Sequence, residues 1–392
     1  MKSVKVVIVG GGIGGLALAG ALRERGIGAE VFERAKSFGN TGSGVELTPN
    51  GIKSIDHISA ELGAAVRRTG WSSDLHKGDM PIMSWDGKLL KSRGLQVFSA
   101  KWGAPAVGIL RAELHRLLAE AVNRTGPATV TVHHSATVVA VESGRDSATV
   151  RLADGRTVTA DVLVGADGVR SIVRATVARD AQPHYLGFTS IRGIAKRPTE
   201  YGDGFVVVGP GGHFFAEAVD ADRLFWTATT KAPEGHWPAK PIEAARADLL
   251  ELLGGWTHLV PDTIASSDLA DLLATDVHDC PPMEHWHSGR VVLLGDAAHP
   301  IGPMLGQGAN MALEDAARLA DLLASERDVP AALLAYEEAR SRRANKILQH
   351  SRLIAKVGHT TNPIVNRFRD LMIKTMNRDE TYRDKELFSY RP

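Results

Sequence analysis

One cysteine, Cys280, stands in 392 residues. No intrachain disulfide can form, nothing points to an oxidising compartment, and the thiol reads as a small packing residue. Net charge is also missing. The 46 basic and 45 acidic residues leave a formal +1, so no overall field favours nucleic acid or an anionic membrane, and a small-molecule partner is expected. Apolar stretches of membrane-spanning length are absent. The run at residues 4–9 meets a glycine-rich stretch too soon for a signal peptide, so a cytoplasmic protein with no membrane span is expected. There are no repeats or low-complexity tracts. The histidines do not fall at zinc-binding spacings and no Gly-x-Ser-x-Gly elbow occurs, so neither a metal nor a serine nucleophile is expected.

What is present has the balance of a globular protein, 44% hydrophobic and 23% charged, long enough for about two to three domain-sized cores. Charge is unevenly spread: residues 340–392 hold 13 Lys/Arg against 5 Asp/Glu, which reads as a solvated helix and basic tail. Residues 4–9 are a short β-branched run, 16–25 a helix-prone stretch rich in Ala and Leu, and 29–32 a second apolar run. That is a βαβ unit, and its near-continuous apolar runs suit a doubly wound parallel sheet covered on both faces. A helix is expected over 111–122 and strands around 129–133 and 148–152, with Asp154-Gly155 turning the chain into 157–160. Buried-strand runs at 162–164 and 291–294 each lead into a Gly/Asp segment. Between them, runs at 189–195, 205–208, 214–219 and 224–229 read as antiparallel strands of a second domain. Helices return at 309–325 and 331–357, where Pro330 suits a helix start.

Gly10-x-Gly12-x-x-Gly15, with Ile13 and Gly14 inside it, sits between the first strand and helix. The first glycine permits the tight turn, the second admits a pyrophosphate, the third allows close packing, and the helix N-terminus offers amide donors. Glu33, followed by Arg34, ends the second strand, where a carboxylate can accept from ribose hydroxyls. These features predict dinucleotide binding without choosing the dinucleotide. Two further motifs follow: Asp161-x-x-x-Gly165-Ala166-Asp167-Gly168-x-x-Ser171-x-x-Arg174, and Gly295-Asp296-Ala297-Ala298-His299-Pro300 with Pro303, Gly306-Gln307-Gly308-Ala309-Asn310 and Glu314-Asp315.

With these three motifs in order, the sequence resembles the class A flavoprotein monooxygenases, the aromatic hydroxylase family with a para-hydroxybenzoate-hydroxylase-like fold, over roughly Lys5 to Lys346. Residues 39–50 and Arg192-Gly193 look like its urate and phenazine hydroxylase branches. The resemblance implies FAD as cofactor, NADPH or NADH as co-substrate, and dioxygen with a small aromatic or heteroaromatic molecule as partners. It further implies hydroxylation through a flavin C4a-hydroperoxide. The implied fold class is α/β: a discontinuous glutathione-reductase-type Rossmann FAD-binding domain (1–70, 103–184 and 279–330), an antiparallel-sheet substrate domain (71–102 and 185–278), and a C-terminal helix and basic tail (331–392). Monomer and homodimer stay open.

The resemblance also assigns roles. Asp296 is implied to hold the ribityl hydroxyls and Asp167 to lie near the pyrophosphate and the NAD(P)H path; a capping role is the alternative for each. Pro303 and Gly306 to Asn310 would form a loop and first helical turn whose amides face the flavin pyrimidine. Arg111 falls where the family has a cofactor-contacting arginine, and Val138 where a backbone contact to adenine is expected. Gly42-x-Gly44-Val45 with Pro49-Asn50 resembles the loop that lets the isoalloxazine swing. His299 is implied to be structural. No obligatory catalytic side chain is expected, because the cofactor carries the chemistry.

Substrate contacts are expected from the middle sheet, where His213, Phe215 and Glu217 alternate onto one face and Arg192 and Trp226 lie on neighbouring strands. Where the urate enzymes carry an arginine and a tyrosine, this chain offers Gly212 or His213 and Phe225, which counts against urate. A flavin epoxidase, oxidase or reductase on the same scaffold, and a non-catalytic FAD-containing ligand-binding protein, are the alternatives. A halogenase is disfavoured, since no two tryptophans stand two apart.

Overall fold

The strand Val6–Val9 is buried at every position, as its β-branched run requires of a strand covered on both faces. It is the centre of a parallel sheet. On one side it pairs with Ala29–Phe32 and on the other with Val162–Gly165. Val130–His133 extends the first side, and Val291–Leu293 with the short antiparallel strand His287–Ser288 extends the second. The chain thus leaves Val9 where the strand order reverses, the crevice in which doubly wound sheets hold nucleotides. These features belong to a computed structural model that describes residues 4–37, 43–76, 78–197, 202–326, 328–375 and 382–392. Gly42 of the expected swing loop lies outside them.

A meander of Val138–Ser143, Ala148–Leu152 and Thr157–Ala160 packs beside the parallel sheet, its hairpin turned at Gly155 with φ +89°. The expected helix is Arg111–Asn123, with Leu114, Leu117 and Leu118 buried.

The second unit is a seven-stranded sheet. Its order runs Leu273–Asp279, His184–Lys196, Arg223–Lys231, Gly212–Ala218, Gly204–Gly209, Met80–Ser84, Leu89–Arg93. All neighbours are antiparallel except Gly204–Gly209 with Met80–Ser84. One face is sealed by helices Ile242–Leu253 and Leu259–Ala265, which the sequence reading did not anticipate; Trp226, Phe214, Leu249 and Ile264 share that core. The other face turns toward the parallel-sheet unit. There Gly44 comes so near Phe225 that a Cβ would lie 2.3 Å from the ring.

Residues from 340 onward are only in part a solvated tail, since helix Pro363–Thr375 is largely exposed whereas Arg340, Leu387 and Phe388 are buried. Val329–Gly358 runs across both units and is followed by helices Pro363–Thr375 and Tyr382–Phe388. Arg340 is fully buried, and Phe388 packs on Phe98 and Trp102. Arg340, Arg343, Arg352 and Arg369 of this stretch are spent on internal carboxylates and carbonyls, which charge counting cannot reveal, whereas Arg342, Lys356, Arg367 and Lys374 are exposed. Among the described residues no helix is long and apolar enough to cross a membrane.

Candidate active site

The glycine turn is set by contacts a side chain would break. Gly10 has φ +104°, and a Cβ on Gly15 would lie 2.0 Å from the Gly10 carbonyl oxygen. Around Gly12, by contrast, a Cβ would meet nothing within 4 Å. That open space, at the start of helix Ile13–Glu24 and beside its first amides, fits a pyrophosphate. Gly14 packs against Leu294 and Ala312. The Glu33 carboxylate accepts from the amides of Gly11 (2.7 Å) and Ala35 (2.8 Å), which aims it at the turn. Arg34 is exposed. His115 donates to the Gly11 carbonyl at 2.7 Å, a support no motif signalled.

The Asp-Gly motif works as a brace. Asp167 accepts from Ser171 Oγ (2.5 Å) and from the amides of Ile172 (2.8 Å) and Val173 (3.3 Å), so its carboxylate caps the following turn. Buried Arg174 donates to the carbonyls of Val169, Asp296 and Ala297, each at 2.8 Å. The second motif therefore holds the third in place. Val138 is buried in the meander, beyond the cavity described next.

A cavity of about 1280 Å³ runs between the two units, more than the ~300–1,000 Å³ that one drug-sized ligand needs. At one end it is bordered by Gly12, Ile13 and Gly14, with Val45, Arg111 and Asp296 along its course. Pro303, Gly306, Gln307, Gly308 and Ala309 form part of its wall, whereas Asn310 is buried behind. Asp296 opens into it; burial pushes its carboxyl above the ordinary range, against the pull of His299, Arg111 and Arg174. Burial, with Arg111 nearby, lowers Arg192 to about 10.

The Gly306 loop is clamped from behind by polar side chains. Asn310 Oδ1 accepts from the Thr48 amide at 3.0 Å and its Nδ2 donates to the Glu46 and Gly306 carbonyls. Asn50 donates to Gln307 (2.9 Å) and Glu314 (2.7 Å). The Gln307 and Asn310 side chains thus serve the protein, which leaves backbone amides and the glycine surfaces to a cofactor. His299 joins the same framework, with Nε2 2.5 Å from Asp315 Oδ2 and no solvent exposure.

Of the expected substrate contacts, Arg192 and His213 line the cavity. Arg192 donates to Thr275 Oγ1 at 2.8 Å. Glu217 lies instead buried beside Glu46, where burial and the second carboxyl push its acid well above the usual range. Trp226 is a correction. The register pairs Phe215 with Thr227 and Glu217 with Phe225, so Phe225 and Thr227 face the cavity and Trp226 points to the opposite core, donating to Ser267 Oγ at 2.8 Å. Strand parity, which places residues 225 and 226 on opposite faces, decides the difference. Ser190, Val206 and Val208 on the sheet, and Leu353, Met372 and Phe388 from the C-terminal helices, also line the cavity without having been expected there. Parity could have found the first three; nothing local marks the last.

The arrangement accommodates a dinucleotide along the parallel sheet and leaves a mostly apolar chamber against the antiparallel one. Known proteins share it. The model of a family described as FAD binding domain matches residues 3–351. An aurachin C monooxygenase/isomerase of Stigmatella aurantiaca is 35% identical, the match spanning 95% of this chain and 94% of that one. A 3-amino-4-hydroxybenzoate 2-monooxygenase of Streptomyces platensis is also 35% identical, over 96% and 94%. The crystal structure of Klebsiella pneumoniae HpxO complexed with FAD and uric acid superposes with TM-score 0.85 at 27% identity, covering 98% and 95%. The open space at Gly12, the aimed Glu33 and the cavity fit FAD, and the chain belongs to the FAD-binding-domain family of flavin-dependent aromatic monooxygenases.

Proposed function

We propose that the chain uses FAD, NADPH or NADH, and dioxygen to hydroxylate a small aromatic or heteroaromatic molecule held against the antiparallel sheet. The observation that carries this reading is one cavity reaching from the glycine turn to His213 and Phe225. When bound, FAD supplies electron transfer from the nicotinamide and activation of dioxygen.

The chain's own residues bind, orient and exclude water. Asp296 and Glu33 would accept from ribityl and ribose hydroxyls, and the amides of Gly306 to Ala309 would hold the flavin ring by its electron-accepting side, since a helix N-terminus favours negative charge. Arg111 and Arg192 give the chamber a cationic side suited to an anionic group of cofactor or substrate. Phe225, Phe215, Val206 and Val208 keep the reacting space dry, which limits wasteful release of peroxide. The cytoplasm, where NADH and NADPH are supplied, is the compartment proposed for it.

The test is a screen of aminohydroxybenzoates, quinolones, other phenols and purines for stimulated NAD(P)H oxidation, with peroxide and product measured alongside. A ligand that accelerates oxidation and appears hydroxylated supports the proposal. Binding without stimulation across the panel would leave a ligand-sequestering protein.

A further inference from the structure

One imidazole on the cavity wall has its tautomer fixed from behind. His213 Nδ1 lies 2.6 Å from Thr229 Oγ1, and the same hydroxyl lies 2.8 Å from His359 Nε2. His359 Nδ1 lies 2.9 Å from the Ala355 carbonyl. A carbonyl oxygen only accepts, so His359 Nδ1 must carry hydrogen.

The rest of the wire follows from that end. His359 stacks on Phe188 at 3.9 Å, and burial lowers it to about 4, so it is neutral near pH 7 and its Nε2 is a bare acceptor. Thr229 has one hydroxyl hydrogen and must give it to His359. Its oxygen then accepts from His213 Nδ1–H. His213 is neutral as well: burial, with His359 and Arg369 facing it, lowers it to about 3. Its Nε2 therefore has a lone pair and no hydrogen, and His213 borders the cavity.

We propose that His213 is an acceptor-only subsite, whose Nε2 takes a hydrogen bond from a neutral hydroxyl, amino or ring N–H group of the substrate, while Thr229 and His359 are positioning residues that hold the tautomer. The ligand assignment rests on the reading of the cavity as a substrate chamber; the tautomer is a property of the protein alone. A carboxylate or an ether oxygen at this point would face a second lone pair. A phenol, an aminophenol or an N–H heteroaromatic would be oriented by its donor, and engaging that hydrogen raises the electron density of the ring to be hydroxylated. The device also gives the C-terminal helix Val329–Gly358 a role in specificity, because His359 caps it.

The test uses the FAD-loaded protein with 15N-labelled histidine, read by two-bond proton–nitrogen correlation, with the His213 signals assigned by their loss in His213→Gln. Wild type is expected to show Nδ1 protonated and Nε2 bare. His359→Phe removes the terminal acceptor, so Thr229 donates to His213 Nδ1 instead and Nε2 gains the hydrogen. Thr229→Ser keeps the wild-type pattern. Binding follows the tautomer: phenol is expected to bind wild type about tenfold more tightly than anisole, the worth of one neutral hydrogen bond, and His359→Phe is expected to remove that preference. FAD retention identifies a variant that has misfolded, and Thr229→Val, which breaks the wire at its centre, then serves in its place. A protonated Nε2 in wild type, or a phenol preference unchanged after the tautomer flips, overturns the proposal. Failure of all hydroxylation would leave both measurements intact and count only against the proposed function.

Discussion

Arg340 bridges two adjacent carboxylates, with Nη1 2.6 Å from Glu314 and Nε 2.7 Å from Asp315, all three side chains shut off from solvent. Asp315 also accepts from the Gly295 amide at 3.0 Å and pairs with His299. Glu314 also pairs with Arg343, whose Nη2 donates to the Leu387 carbonyl at 2.9 Å. The C-terminal helices and the Gly-Asp motif are thus parts of one ionic framework.

Removing the central cation tests that framework. Arg340→Met leaves two neighbouring buried carboxylates short of charge, and breaking a buried pair in this way costs about 3–5 kcal/mol. Arg343 and His299 remain, so a loss near the lower end is expected in urea denaturation, together with weaker FAD retention. A loss within experimental error of zero would show that the pair contributes no more than an apolar contact.

The same cluster sets the acid limit. His299 and Arg340 hold Asp315 down at about 2, and the two arginines lower Glu314. Unfolded carboxyls titrate near ~4. Depressed folded values contribute stability that is present above the unfolded pKa and lost as pH falls through the folded one. His213 and His359, lowered to about 3 and 4, add a separate loss that begins below the unfolded histidine value of ~6.5. The buried Glu46, Glu217 and Asp296 carboxyls, which burial raises, act in the opposite sense, so the two stages of loss, from about pH 6.5 and again from about pH 4, are read as differences between wild-type and variant urea midpoints. Asp315→Asn should flatten only the second stage; a flattened first stage would contradict this assignment.

Much of this was legible in the sequence, and for local reasons. The glycine turn, Glu33, the Asp-Gly motif and the Gly306 loop are short segments in which chain geometry and chemistry coincide. The antiparallel strands were legible from alternation, but the face each residue takes depends on register, which is why Trp226 was misjudged. Arg340, Arg343 and Phe388 were read as solvated because a charge count knows nothing of Glu314, 26 residues before Arg340 in the sequence but 2.6 Å from it in space. The His213–Thr229–His359 wire joins three elements and has no sequence signature.

The glycines of the first turn separate stability from cofactor binding. Gly15→Ala puts a methyl group against the Gly10 carbonyl at 2.0 Å and is expected to unfold the turn, lowering the thermal midpoint and abolishing FAD binding. Gly12→Ala meets nothing in the protein itself. It should leave the apoprotein midpoint unchanged while FAD affinity drops at least tenfold, measured by flavin fluorescence titration. Unchanged FAD affinity in Gly12→Ala would remove the pyrophosphate from this turn.

Strand parity makes the sharpest contrast, because two neighbouring aromatic residues belong to opposite faces of one strand. Phe225 lines the chamber and touches the Gly44 strand, so Phe225→Ala should enlarge the reacting space, raise the substrate KM and divert more oxygen to peroxide. Trp226 stacks on Phe214 at 5.3 Å and has no exposure. Trp226→Phe removes its bond to Ser267 and part of its packing, so a stability loss of roughly 1–3 kcal/mol is expected, with KM and coupling unchanged. Steady-state oxidation, peroxide yield and urea unfolding of both variants decide the matter. Should Trp226→Phe raise peroxide while Phe225→Ala leaves it alone, the chamber lies on the other side of the sheet.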